Sequence, residues 1–493
     1  MRLWQDSTKW WITLILVFAL LTRMFRLSEP PIYIFDEVYH AITAKLIARN
    51  DVRAFEWWNP PVEPNTAVDW LHPPLAKYTQ AIGMRVFGEN SFGWRVSSAL
   101  FGVLVIWLVM ALTWEVFQRR ELSLLAGFLA SLDGLLLVQS RIAMNDIHVT
   151  AMILLTLWCY TRYRATNQSR RYFVWTGLAA GLAMGSKWSG VFTLPIIWGC
   201  ELAAWVLPQV EAVLNRRAIQ RLATREVLSR AAKYLLIWLV LPATIYVLSY
   251  TDMFIQGKSL ICDKDQVTPN QCYCSQESSW WVNGASWFMP SARPALEAME
   301  ARGGCKRLIS HFSELHHQIW WYQTNLKATH PHQSRPLQWF LDLRPVWIHV
   351  AYNEGTIANI YNIGNPMIFW FGGIAAIMTF MQLVLSWKAI SEKRLGVSGL
   401  FFIFAAYVWV WVPWVFSPRI MFFYHYTPAV PLMCIMLAYW LFEMRQWRWG
   451  RIITIVVVML ALTTFIVWYP HWTALPVPVE WADKVYFAIK TWK

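Results

Sequence analysis

The chain has 493 residues, 57% of them apolar and only 15% charged, and tryptophan alone fills 34 positions. Soluble domains carry roughly 25% charged residues, so this composition excludes a soluble globular protein, a disordered chain and an ordinary nucleic-acid binder. The net charge of +14 fits basic cytoplasmic loops lying beside anionic lipid.

A membrane-spanning helix needs about 20 apolar residues. In chain order the apolar runs fall near 10–27, 96–116, 121–138, 147–163, 172–187, 190–207, 234–250, 367–387, 397–416, 420–442 and 451–469, which makes eleven. An odd number puts the termini on opposite sides. Basic residues orient the chain. With the N-terminus cytoplasmic, the inner segments gather Arg119 and Arg120, then Arg162, Arg164, Arg170 and Arg171, then a cluster from Arg216 to Lys233, then Lys388, Lys393 and Arg394, and last Arg445, Arg448 and Arg451. The short outer turns hold only Arg141, Lys187 and Arg419, so these three cations need another explanation. The first run is read as an uncleaved span, because Thr22-Arg23-Met24-Phe25-Arg26 offers no small-residue cleavage site.

Two long segments, 28–95 and 251–366, both fall outside. They divide the chain into an N-terminal transmembrane module (1–250), an extracytoplasmic loop (251–366) and a C-terminal transmembrane module with an outer tail (367–493). Cys159, Cys200 and Cys434 sit in apolar runs and read as small buried hydrophobes. Cys262, Cys272, Cys274 and Cys305 cluster in the second long segment. Two disulfides there would agree with an oxidising compartment; free thiols, or a zinc site with His311, His316 and His317, are the alternatives.

The first long segment concentrates the chemistry. Pro30-Pro31 ends the first helix, and Asp36-Glu37 then lies at the membrane surface. Asp36 suits either a helix N-cap or a catalytic carboxylate. His72-Pro73-Pro74-Leu75-Ala76-Lys77 reads as a rigid turn into an amphipathic helix, with His72 and Lys77 both outside. Arg95 stands at the mouth of the second span, a costly place for an unpartnered cation, and its planar fork suits a phosphate at headgroup level. A proton-accepting carboxylate and a phosphate-holding cation at the lipid–water boundary fit transfer of a group from a lipid phosphate to a hydroxyl. Other outer turns add Arg141, Asn145 and Asp146, then Lys187, then Arg419, Tyr424 and His425. Each could bind substrate or could serve an interhelical salt bridge or hydrogen bond.

The chain resembles the protein O-mannosyltransferase family of the GT-C class. The resemblance is carried by Asp36-Glu37, His72-Pro73-Pro74-Leu75-Ala76-Lys77, Gly93-Trp94-Arg95, Gly185-Ser186-Lys187-Trp188-Ser189-Gly190, Ser334-Arg335-Pro336-Leu337-Gln338-Trp339, Leu343-Arg344-Pro345, Gly364-Asn365-Pro366 and Tyr424-His425-Tyr426, in the family's order. It implies an all-α polytopic membrane protein with a GT-C glycosyltransferase fold, about eleven transmembrane helices with extracytoplasmic loop helices. It also implies a polyprenyl-phosphate-mannose donor, a Ser or Thr acceptor on a secreted or membrane protein, and inversion at the anomeric centre. Asp36 matches the family's general base, Glu37 its acceptor-holding neighbour and Arg95 its donor-phosphate arginine. The implied location is the cell (inner) membrane with the site on the extracytoplasmic face. No nucleic acid is implied, and no metal or other cofactor is required.

Two other functions compete. One is a related enzyme passing a polyprenyl-phosphate sugar to lipid A or a cell-wall glycan. The other is a transporter, which is disfavoured because no repeat is evident and the polar groups gather at the outer boundary rather than at mid-membrane.

Overall fold

Within hydrocarbon a chain must satisfy every backbone group internally, which turns apolar runs into helices. The computed structural model describes residues 6–55, 61–214, 224–256, 261–262, 272–273, 290–302, 308–386 and 395–492, and each of the eleven apolar runs holds a helix. The first half contains α1 (Asp6–Met24), α2 (Glu37–Ala48), α3 (Leu75–Phe87), α4 (Ser91–Phe117), α5 (Arg120–Ser131), α6 (Gly134–Gln139), α7 (Asp146–Ala165), α8 (Arg170–Ser186) and α9 (Thr193–Leu214). Next come α10 (Thr224–Leu235), α11 (Leu241–Leu248), α12 (Thr251–Gln256), α13 (Arg293–Arg302), α14 (Leu308–Asn325) and α15 (Pro336–Trp339). The last part contains α16 (Pro366–Leu385), α17 (Leu395–Trp411), α18 (Ala429–Met444), α19 (Arg448–Thr473) and α20 (Val479–Val485). Among the described residues six helices are long and apolar enough to cross a membrane: Ser91–Phe117, Trp188–Val206, Val227–Leu248, Pro366–Leu385, Gly399–Phe416 and Arg448–Thr473.

Two runs are not the unbroken helices their apolarity suggests. The run 121–138 breaks at Leu132, and Asp133 caps the continuation by accepting from Leu136 N at 2.8 Å. The run 420–442 starts its helix only at Ala429; a 3-10 turn, Phe423–Tyr426, precedes it. His425 therefore lies in that turn and not inside a spanning helix.

The fold is also not purely helical. β3 (Val346–Asn353) and β4 (Thr356–Asn362) form an antiparallel hairpin, which β5 (Val477–Pro478) extends from the C-terminal tail. The sequence carries this signal, since β-branched and aromatic residues flank Asn353-Glu354-Gly355. A second ladder, β1 (Ile261–Cys262) with β2 (Cys272–Tyr273), puts Cys262 and Cys272 opposite one another in register. The side chains of both, with Cys274 and Cys305, lie outside the described residues.

Close packing at one end of the bundle fixes the chain between α1 and α2. Arg141 donates to the carbonyls of Thr22 (3.2 Å), Arg23 (2.8 Å), Phe25 (2.8 Å) and Arg26 (3.2 Å), which closes the C-terminus of α1. Gly102 of α4 is required there, because a Cβ would sit 2.1 Å from Ser140 Oγ and 2.9 Å from Arg23 Nε.

Candidate active site

The adjacent carboxylates of the first long segment have opposite environments. Glu37 is fully buried and saturated. It accepts from Arg95 Nε (2.8 Å) and Nη2 (2.8 Å), from Ile34 N (3.1 Å) and from Ala143 N (2.9 Å). Arg95, also fully buried, donates further to the carbonyls of Leu27 (3.2 Å), Pro30 (2.9 Å) and Ile32 (3.0 Å). A guanidinium has five N–H donors, and these bonds take all of them. Arg95 and Glu37 thus spend these groups on one another and on the backbone. Together they wrap the linker 27–37 around one buried bidentate ion pair.

Asp36 is the carboxylate left for chemistry. It stands at the N-cap position of α2, yet its side chain makes no capping hydrogen bond, so the capping role does not hold. The preceding Phe35 is in the left-handed region at φ 50°, a strained conformation for a bulky side chain and one that clusters at functional sites. Its ring packs edge-on against Tyr424 at 5.9 Å between centroids. Burial pushes the Asp36 carboxyl up to about 6; His40 and Lys187 oppose that rise, while Asp69 and Asp146 add to it.

Lys187 and Asp146 act on the charge of Asp36, which in turn acts on Tyr424. Lys187, in the turn after α8, donates to Asp146 Oδ1 at 2.7 Å and sits 5.4 Å from the Tyr424 ring. Its position depends on Gly190, where a Cβ would lie 2.2 Å from the backbone carbon of Ala183. Asn145, next to Asp146, is buried with neither amide atom hydrogen-bonded among the described residues. Tyr424 stacks on His425, which stacks in turn on Trp339.

On the other side of α2, Asp69 organises a cluster that residue spacing alone did not reveal. Its carboxylate lies 2.7 Å from Lys77 Nζ, 2.9 Å from His40 Nδ1 and 3.0 Å from His72 Nδ1. Burial would raise this carboxyl, but Lys77, His72 and His40 outweigh it and hold it well below the ordinary range. Lys77 is buried, and it also donates to the carbonyls of Asp69 (2.9 Å) and His72 (3.0 Å). Burial lowers His72 to about 4. His40, Asp69 and His72 have ligand atoms within 4.8 Å of one another, but a divalent cation there would stand beside an ammonium that already balances the carboxylate. The detectable signal for His40 is its spacing, four residues after Asp36 on one helix face.

Arg419 does not join Asp36. It donates to Gln323 of α14 and to Ile420 O, at the edge of a separate cavity of about 890 Å³.

Comparison with known proteins agrees with this architecture. Residues 13–255 match the family described as dolichyl-phosphate-mannose-protein mannosyltransferase, and residues 308–492 match the C-terminal four-transmembrane region of protein O-mannosyltransferase. A polyprenol-phosphate-mannose–protein mannosyltransferase of Corynebacterium glutamicum is 26% identical over 484 residues, covering 90% of this chain and 84% of its own. The S. cerevisiae Pmt1-Pmt2 complex bound to the sugar donor superposes with a TM-score of 0.72 at 16% identity, covering 98% of this chain and 92% of that one. ArnT from Cupriavidus metallidurans, bound to undecaprenyl phosphate, gives 0.51 at 15% identity over 92% of this chain and 64% of its own. The fold is that of the GT-C membrane glycosyltransferases, and the chain belongs to the protein O-mannosyltransferase family.

Proposed function

We propose that this chain transfers mannose from a polyprenyl-phosphate-mannose donor to Ser or Thr hydroxyls of translocated proteins, with Asp36 as the general base. The observation that carries the role of Asp36 is the contrast between it and Glu37: one carboxylate is locked by four donors, the other is free of hydrogen bonds among the described residues and held near pH 6. Environments that separate two neighbouring carboxyls assign their roles.

In the step we infer, the acceptor oxygen forms a bond to the anomeric carbon as its proton passes to Asp36. The bond from that carbon to the phosphate oxygen breaks, its electron pair stays on the phosphate, and the anomeric centre inverts. Charge grows on the departing phosphate. With Arg95 sealed, Lys187 is the cation best placed to meet it, lying between Asp146 and the Tyr424 ring. Glu37, Arg95, Arg141, His72 and Lys77 act as positioning residues. They hold the linker and α2 so that Asp36 faces the substrate.

The distribution of basic residues supports an extracytoplasmic site in the cell membrane. The three-part division at 250 and 366 is retained as the working domain scheme. Purified protein in lipid, given radiolabelled polyprenyl-phosphate mannose and a Ser/Thr-bearing peptide, is expected to label the peptide through an alkali-labile bond. Label appearing only on lipid A or a glycan acceptor would replace this proposal with the related one.

A further inference from the structure

A base that takes a proton in every turnover must lose it before the next. When Asp36 is protonated, its substrate-facing side holds the glycosylated acceptor and the departing phosphate, so the proton needs a second way out. The helical turn behind Asp36 offers one. His40 N donates to Asp36 O at 3.0 Å. That bond belongs to a regular helical turn, which sets the two side chains on one face of α2 with Cβ atoms about 5–6 Å apart. Of the charged neighbours that act on the Asp36 carboxyl, His40 has the largest influence, and it favours the ionised form. His40 is 4% exposed and takes no part in the transfer step itself.

The surroundings of His40 suit a group that gains a charge during turnover. Its Nδ1 lies 2.9 Å from Asp69 Oδ2, in an approach with the geometry of an ion pair and not of a hydrogen bond. The same oxygen lies 2.7 Å from Lys77 Nζ, so Asp69 is already balanced and His40 can be neutral between turnovers. An imidazolium formed there would meet a carboxylate at contact distance. Asp69 stays ionised for that purpose, since Lys77, His72 and His40 hold it well below the ordinary range. The other groups facing His40 do not compete for a proton. His72, with its ring centroid 5.4 Å away, is lowered by burial to about 4. His148 of α7, which also feels the charge of His40, is engaged by Thr79 Oγ1 (3.0 Å) and Met144 O (3.1 Å). An imidazole is the side chain best suited to take up and release a proton near neutral pH.

We propose that His40 is the proton relay of the transfer reaction, clearing from Asp36 the proton taken from the acceptor hydroxyl, with Asp69 as its orienting counter-charge. The proposal rests on the reading of Asp36 as the base. The O–H bond on Asp36 breaks and an N–H bond forms on His40, so that Asp36 returns to carboxylate and the imidazole becomes an imidazolium beside Asp69. Water then takes the proton from His40 at the opening beside His72, whose side chain is 25% exposed. A base oriented by a third group is a recurring arrangement; here it stands one step behind the base that meets the substrate. His40 touches neither sugar nor phosphate and works through Asp36.

The test compares single-turnover and steady-state mannosyl transfer by the full chain in lipid, for the parent, His40→Gln and His40→Phe. Gln keeps a polar group against Asp69, Phe keeps the volume of the ring, and neither accepts a proton near neutral pH. Both variants are expected to release a burst of about one labelled peptide per enzyme, followed by a steady rate about tenfold or more below the parent's. Added imidazole is expected to restore that steady rate as its concentration rises, while the parent shows neither burst nor response. Burst-free kinetics at the parent's rate in either variant overturns the proposal. An equal fall of first-turnover and steady rates without imidazole rescue, or failure of both variants to fold, marks His40 as structural and overturns it too. Asp36→Asn, measured on matched preparations, keeps the base assignment separate. It is expected to lose the first turnover as well, and a normal first turnover there would remove the base reading whatever the His40 variants do.

Discussion

Of the two acidic neighbours in the first long segment, only the family resemblance singled out Asp36 as the base; the residues by themselves do not say which one reacts. Asp36 and Glu37 look equivalent in one dimension, and Arg95 looks like a free cation at a membrane surface. What separates them is a set of partners 58 and 106 residues away, Arg95 and Ala143, and no local pattern encodes those pairings. Arg95→Ala leaves Glu37 buried without its counter-charge. Breaking such a pair costs about 3–5 kcal/mol, so this variant is expected to lose thermal stability or fail to accumulate. A variant as stable as the parent, with only its donor KM raised, would return Arg95 to a phosphate-binding role.

Single turns decide where reactive groups stand. The motif Gly185-Ser186-Lys187-Trp188-Ser189-Gly190 was legible as an outer turn with a lone lysine, but its reason was not. Gly190 packs onto the backbone of Ala183, which brings Lys187 back over Tyr424 and Asp146. Gly190→Ala is expected to push this turn outward and lower kcat/KM at least about tenfold, since small misplacements of charged groups carry such costs; turnover compared with the parent checks it, and full activity would show that the turn does not set Lys187. The Asp69 cluster escaped detection for a related reason. His40 and His72 belong to different elements, and only the fold reveals that Lys77 points inward to their shared carboxylate. The two broken apolar runs show the same limit, because hydropathy reports where a helix can lie and not where Asp133 or the 423–426 turn interrupts it.

At the scale of the molecule, hydropathy sufficed for eleven helical runs, since it depends on long stretches whose character single residues do not change, while the family resemblance came from short motifs spread along the chain. The β3–β4 hairpin and its pairing with the C-terminal tail were readable only in part: the strands are visible in composition, but the pairing of Thr356 with Pro478 and Ile357 with Val477, far along the chain, is not. All of these pieces converge to leave the Asp36 carboxylate, at the start of α2, without a hydrogen-bond partner among the described residues. The most direct measurement is the pH dependence of kcat/KM for mannosyl transfer by the parent and by Asp36→Asn. A base must be ionised to accept a proton, and burial holds Asp36 at about 6, so the parent's rate is expected to climb through pH 6 and level off above it. Asp36→Asn is expected to fold, to lose this limb and to run about 10²–10⁴-fold slower. Normal turnover by that variant, or the same limb persisting in it, would contradict the assignment of Asp36 as the base.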